Sequence, residues 1–245
     1  MGNNLDKLPK VDNINFSMKK RLDIIESPNQ KYYFQYFKDY QLASPNEKQY
    51  LASLVVDLYK KSFSTSKSID EIISYYLHFA QAVSIDLIFL LDKKNHEPKG
   101  FTIFMMIEEY LEPENYTNEN RYLVSTHLVG INPKLRRGGL YNSILQTAIY
   151  LNLMKYPNRN YIHFDVIINP AVYYMALKSS QRVFPSESAE MSGKQLELFI
   201  KIRNKFECDP VAENKPYLVY DPLVLEEKEK IKFKQNYDKF PRDMK

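Results

Sequence analysis

Glycine is scarce in this sequence of 245 residues, six in all, yet Gly138 and Gly139 stand side by side. They fall between an apolar run ending at Ile131 and a helix-like stretch carrying Ile144, Leu145 and Ala148. Glycine admits positive φ and lets the backbone come close to a ligand. A helix start adds unsatisfied N–H groups and a dipole that favour an anion. Arg136 and Arg137 precede the pair and bring positive charge to the same point, so the segment has the parts of a pyrophosphate cradle. From the glycine pair alone, a tight strand-to-helix turn with two exposed arginines explains the segment equally well. It is not a P-loop, because no Gly-Lys-Ser/Thr follows, and not a dinucleotide fingerprint, because the third glycine is missing.

The other chemistry-bearing residues narrow the choice by what they do not form. His78, His96, His127 and His163 make no i,i+4 pair and have no cysteine companion, so no metal site is expected. No Gly-x-Ser-x-Gly elbow occurs, which removes the common hydrolase arrangement. Cys208 is the single cysteine. It excludes an intramolecular disulfide, reads as an inert thiol before Pro210, and fits a reducing, cytoplasmic location.

The elements that must position the glycine pair follow from periodicity and capping signals. Residues 1–28 are polar and read as a flexible lead-in ending at Ser27-Pro28, and Lys31 to Leu42, rich in Tyr and Phe, as a first strand. Ser44-Pro45 has the form of an N-cap with proline at the first helical position. Tyr50, Leu51, Leu54, Val55 and Leu58 then recur at helical spacing to about Lys61. Ser68 and Glu71 have the spacing of a capping box for a second helix, striped by Ile72, Ile73, Tyr76, Leu77 and Ala80. Apolar runs at 84–91 and 100–107 suggest a hairpin, and 122–131 a third strand of the meander. A helix over 139–155, a strand over 161–168 and a helix over 170–181 complete a parallel crossover unit. Beyond Pro185, 194–206 is expected to be helical and 217–225 a closing strand with Pro222 near an edge. Residues 226–245 alternate Glu and Lys and read as a charged, solvated tail. The fold class expected is mixed α/β, a mostly antiparallel sheet flanked by helices, with one domain over residues 29–225.

Composition sets the outer bounds. The net charge of +4 comes from 34 basic and 30 acidic residues spread along the chain, so a phosphate-backbone partner is not implied. A nucleic-acid binder using its 20 tyrosines and its lysines remains the weakest of the readings. No run approaches the ~18–20 apolar residues that span a bilayer, so no membrane span is expected, and the first ten residues lack the basic-then-apolar form of a secretory signal.

The stretch Leu128-Val129-Gly130-Ile131-Asn132-Pro133-Lys134-Leu135-Arg136-Arg137-Gly138-Gly139-Leu140-Tyr141-Asn142 resembles the pyrophosphate loop of the GNAT superfamily of acyl-CoA-dependent N-acyltransferases. There a strand and Asn/His-Pro lead into Gln/Arg-x-x-Gly-x-Gly/Ala and a helix. Arg136 takes the first motif position and Gly139 the first required glycine, while Tyr141 stands where a small residue is usual. Asn169-Pro170-Ala171, after the following strand, resembles the Asn-Pro-x-Ala helix start that flanks the cofactor arm in many members. The likeness covers about residues 84–185.

That resemblance implies a V-shaped splay between two parallel strands, with backbone groups at Val129 and Ile131 pairing with the pantetheine of acetyl-CoA. N–H groups from Arg137 through Gly138, Gly139, Leu140 and Tyr141 to Asn142 would hold the pyrophosphate, with Arg136 and Asn169 beside it. The acceptor would be an amine on a small molecule or a protein, attacking the thioester directly, with a base and an acid to move protons. His127, on the same strand face as Val129 and Ile131, is the first candidate for the base, although a core histidine is the commoner explanation of such a residue. Glu108 and Glu109 compete with it, and Tyr173 and Tyr174 are the candidates for the acid. The alternative is a non-catalytic GNAT-like module that keeps the fold for binding.

Overall fold

The computed structural model describes residues 22–27, 29–63, 68–111, 121–165 and 191–208. The expected helix over 170–181, the closing strand over 217–225 and the tail lie outside these residues. Six strands, β1 (Leu22–Glu26), β2 (Tyr32–Phe37), β3 (Ser84–Asp92), β4 (Pro98–Tyr110), β5 (Arg121–Ile131) and β6 (Asn160–His163), form one sheet in sequence order. The helices are α1 (Pro45–Ser62), α2 (Ile69–Leu77), α3 (Leu140–Lys155) and α4 (Gly193–Lys205). Strands β1 to β4 pair antiparallel with their neighbours. β5 and β6 are neighbours joined through α3, the parallel pair of a mostly antiparallel sheet. From β2 through β6 the order of strands and helices is the one expected from the sequence.

The chain groups into two compact units, one of residues 1–63, 68–108 and 125–161, the other of 64–67, 109–124 and 162–245. In the first unit, β3 has eight consecutive buried residues, Ser84 to Leu91, and β4 is buried from Gly100 to Ile107. Side chains are therefore covered on both faces, which explains why these strands read as unbroken apolar runs rather than alternating ones. Helix α1 buries Leu51, Leu54, Val55, Leu58 and Tyr59, the i, i+3, i+4, i+7, i+8 face of an amphipathic helix. Its start is fixed by a capping box, in which Glu47 N–H donates to Ser44 Oγ and Ser44 N–H to Glu47 Oε2, with Pro45 at the first helical position.

Three local expectations need correction. β1 lies inside the stretch read as a flexible lead-in, where it pairs with β2 from Leu22↔Phe37 to Glu26↔Tyr33. Its alternation is masked in the sequence because Asp23, Ile24 and Glu26 are all exposed. The box expected at α2 is absent, since the Ser68 side chain makes no cap hydrogen bond. Strand β6 stops at His163 rather than continuing through Asp165 toward residue 168.

A polar knot ties the end of α3 to the start of β3. Asp86 is 1 % exposed and accepts hydrogen bonds from Tyr36 Oη at 2.7 Å, Ser84 Oγ at 3.2 Å and the Asp39 N–H at 2.8 Å. Lys155 Nζ supplies the counter-charge, 3.1 Å from Asp86 Oδ1, 2.5 Å from Asp39 Oδ1 and 2.7 Å from Ser84 Oγ. Burial pulls the Lys155 ammonium down, but Asp86 and the Asp39 hydrogen bond outweigh it and hold its pKa above 10.5. Asp39 takes φ 50°, in the left-handed region that aspartate tolerates better than most residues.

The second unit is organised around α4, again opened by a capping box, Ser192 with Gln195. Leu198 and Ile202 are buried, and Phe206 stacks on Phe164 with ring centroids 5.2 Å apart. Lys205 Nζ lies 2.7 Å from Glu109 Oε2. Among the described residues, no helix is long and apolar enough to cross a membrane.

Candidate active site

The loop between β5 and α3 is built by local rules. Asn132 opens a 3-10 turn over Pro133–Gly138, its Oδ1 accepting the Lys134 N–H at 3.1 Å and its carbonyl the Leu135 N–H at 2.8 Å. The turn ends at Gly139, where φ is 72° and ψ 1°, a conformation that only glycine adopts without strain. Gly139 is also the N-cap of α3 and offers no side chain to it, so the first-turn N–H groups keep the outward direction of an uncapped helix start. A Cβ placed on Gly139 would meet nothing within 4 Å, so the backbone here faces open space. Open space, positive φ and an uncapped helix start form the geometry an anionic group requires.

Behind the loop, α3 presents one stripe to the core, Leu140, Ile144, Ala148 and Asn152. Leu140, one of the residues assigned to the cradle, is 2 % exposed, so only its backbone is available for that role. Ile131 is likewise buried and Val129 half-buried on β5. Gly130 is required for a different reason: a Cβ there would lie 2.3 Å from Cε1 of Phe101.

Alternate residues of β5 each meet a tyrosine hydroxyl. Tyr161 Oη donates to Ser125 Oγ at 2.6 Å, and Tyr141 Oη lies 3.1 Å from His127 Nε2. The Tyr141 and His127 rings are tilted by 59° with centroids 6.3 Å apart. Burial raises the Tyr161 phenol above its ordinary range, against the opposing pull of the Ser125 hydrogen bond. His127 is 5 % exposed, and desolvation lowers its pKa from 6.5 to about 4, so the imidazole is neutral at physiological pH. Tyr141 is half-buried in the first turn of α3.

The structure thus brings together two of the sequence-derived site residues, His127 and Tyr141, 14 positions apart. Glu109 belongs to the second unit and pairs with Lys205, while its Oε1 accepts the Tyr110 N–H at 2.9 Å. Asn169, Tyr173 and Tyr174 lie outside the described residues, and Arg136, Arg137 and Gly138 are described in backbone only. Asn142 is half-buried in the first turn of α3. The Ser125–Tyr161 bond escaped the sequence reading, because nothing in the spacing of a serine and a tyrosine 36 residues apart signals contact.

No family model matches the chain, and no curated protein matches it in sequence. Solved structures to which it is similar include a possible acetyltransferase from Clostridium difficile 630, at 14% identity and TM-score 0.38, over 65% of this chain and 98% of that one. An aminoglycoside N-acetyltransferase in complex with CoA is similar at 10% identity and TM-score 0.38, over 66% of this chain and 96% of that one. A ribosomal-protein-alanine N-acetyltransferase from Brucella melitensis biovar Abortus 2308 is similar at 9% identity and TM-score 0.38, over 66% of this chain and 99% of that one.

Proposed function

We propose that this chain is a CoA-dependent N-acyltransferase of the GNAT kind, acting as a single domain over residues 29–225, that moves an acetyl group from acetyl-CoA to an amine on a small molecule or a protein. The observation that carries the reading is the β5–loop–α3–β6 unit. A strand runs through Asn132-Pro133 into a left-handed glycine facing open space, then into an uncapped helix that leads to the adjacent parallel strand. Acetyl-CoA would supply the activated thioester. The backbone N–H groups of Gly139 to Asn142, with Arg136 and Arg137, would bind its pyrophosphate, and the backbone at Val129 and Ile131 its pantetheine amides. His127, with Glu109 as its competitor, would be the base, Tyr173 and Tyr174 are the candidates for the acid, and Asn169 would stand beside the cofactor. A cytoplasmic location suits this chemistry.

Calorimetric titration of acetyl-CoA and desulfo-CoA into the wild type and Gly139→Asp tests the reading. The expected result is micromolar binding of both ligands by the wild type and its loss in the variant, where a carboxylate and a strained backbone enter the cradle. A second reading is supported by Tyr141, whose ring occupies a position where the family motif has a small residue: a non-catalytic GNAT-like binding module. A folded wild type that binds neither ligand would favour that module.

A further inference from the structure

Helix α3 is apolar on two sides, where a surface helix is apolar on one. Leu140, Ile144, Ala148 and Asn152 face the core. The exposed positions, Gln146, Tyr150, Leu153 and Met154, recur at i, i+4, i+7 and i+8 and form a second stripe. Tyr150 is 61 % exposed, Leu153 44 % and Met154 64 %. Apolar residues exposed singly are ordinary, but three on one helical stripe make a patch. We infer that this outer face of α3 is the contact surface of a homodimer, in which a second copy of the chain lays the same stripe against it about a two-fold axis. The inference goes beyond the acyltransferase reading and does not depend on it.

Charge distinguishes α3 from the other described helices. Exposed positions hold Lys60 and Lys61 in α1, Asp70 and Glu71 in α2, and Lys194 and Glu197 in α4. In α3 the one charged residue is Lys155, and its ammonium is turned to Asp39 and Asp86. Tyrosine and methionine without charge are the composition of an interface core. The same feature selects the occupant. A two-fold axis sets a patch against itself, so any charge on it would meet its own sign, whereas an uncharged patch meets itself without repulsion. A strongly charged partner would find nothing on this stripe to pair with.

The area is sufficient for a pair. Through Lys155 the end of α3 reaches Asp39 and Ser84, beside which stand Leu42, 74 % exposed, and Val83, 46 % exposed. The five apolar side chains present on the order of 500 Å², the upper part of the range for one patch on a monomer. Two such faces, with the polar rim around Gln146, exceed the ~1,000 Å² that a specific contact needs and lie at the lower end of stable interfaces, so a micromolar dissociation constant is expected. The stripe begins about 10 Å along the helix from Gly139, which leaves the proposed anion cradle open in the dimer.

The test follows the full chain by analytical ultracentrifugation. Between about 1 and about 100 µM the wild type is expected to pass from 29.0 kDa to twice that mass. Tyr150→Lys/Met154→Lys and Tyr150→Glu/Met154→Glu each set like charges against like and are expected to stay monomeric over that range. Both positions are exposed, so far-UV circular dichroism and the thermal midpoint should remain close to wild type. An equal mixture of the two variants is expected to recover the dimer, since lysines then face glutamates in whichever register the helices meet, a result that loss of fold cannot produce. A wild type that remains monomeric at about 100 µM would overturn the inference. If that monomer instead floats with phosphatidylcholine vesicles, the inference is equally overturned and the stripe belongs to a lipid surface. A lysine variant that dimerises within threefold of the wild-type constant, or a mixture that stays monomeric, would overturn it as well.

Discussion

Replacing Lys155 by Met removes the cation paired, among the described residues, with a carboxylate that is 1 % exposed, and the cost can be worked from the contacts around it. The variant would leave Asp86 with three hydrogen bonds, from Tyr36, Ser84 and the Asp39 N–H, and would take the ammonium from Asp39 Oδ1 as well. Breaking a buried ion pair by deleting one partner costs ~3–5 kcal/mol, because the remaining charge stays out of water. The Lys155 side chain is 20 % exposed and Asp39 34 % exposed, so the lower end, about 3 kcal/mol, is expected. In urea, at a slope of about 2–3 kcal/mol per molar, the midpoint should fall by about 1–1.5 M. Lys155→Met combined with Asp86→Asn should recover at least half of the loss, since the stranded charge is gone. The pH dependence has a definite sign. The folded-state pKa of Lys155 lies above 10.5, so its contribution is complete below pH 10.5 and disappears as pH rises through the folded-state value. The wild type should therefore show an alkaline loss of stability that Lys155→Met lacks. A Lys155→Met midpoint within about 0.2 M of wild type would refute the reasoning, because it would mean that Asp86 needs no counter-charge.

Three further outcomes are expected. Gly130→Ala drives a Cβ to 2.3 Å from the ring of Phe101, which is itself fully buried, and should cost about 2–3 kcal/mol in urea denaturation, with Phe101→Leu partly restoring the double variant. His127 has its pKa depressed from 6.5 to about 4, so its neutral form contributes stability above pH 6.5 that is lost as pH falls toward 4. The amount is up to about 3 kcal/mol, and acid titrations of His127→Gln should lack this step. Ser44→Ala removes the cap of α1 and should lower stability by about 1 kcal/mol, read as a shift in the thermal midpoint, whereas Ser68→Ala, which deletes no cap bond, should shift it far less.

The sequence was legible wherever a local rule decides the outcome. Ser44-Pro45 and the Leu51-to-Tyr59 stripe specify α1 without help from the rest of the chain, and Gly139 marks the left-handed start of α3 through its own backbone preference. Local rules fell short where tertiary contacts decide. Ser68 and Glu71 have the spacing of a capping box and do not form one, and β1 carries two exposed acidic residues, Asp23 and Glu26, whose polarity hides a strand made by pairing with β2. Of the site, the loop and His127 could be picked out, but the hydrogen bond that joins His127 to Tyr141 could not. The Tyr141 side chain registered as a bulky group in a small-residue position, and its partner emerges only once α3 lies against β5. The Lys155–Asp86 pair, 69 residues apart, was equally hidden, since an isolated lysine near a helix end reads as a surface charge.

The contact between Gly130 and Phe101 also acts as an alignment key. The aromatic ring fits over a residue without a side chain, and in β5 the neighbours of that residue are Val129 and Ile131. Sliding β5 by one position along β4 would bring a branched side chain under the ring and would turn every odd-numbered residue of the strand to the opposite face. His127 would then point away from Tyr141, and Ser125 away from Tyr161. A single hydrogen atom in place of a side chain thus selects which face of β5 turns His127 and Ser125 toward their tyrosines.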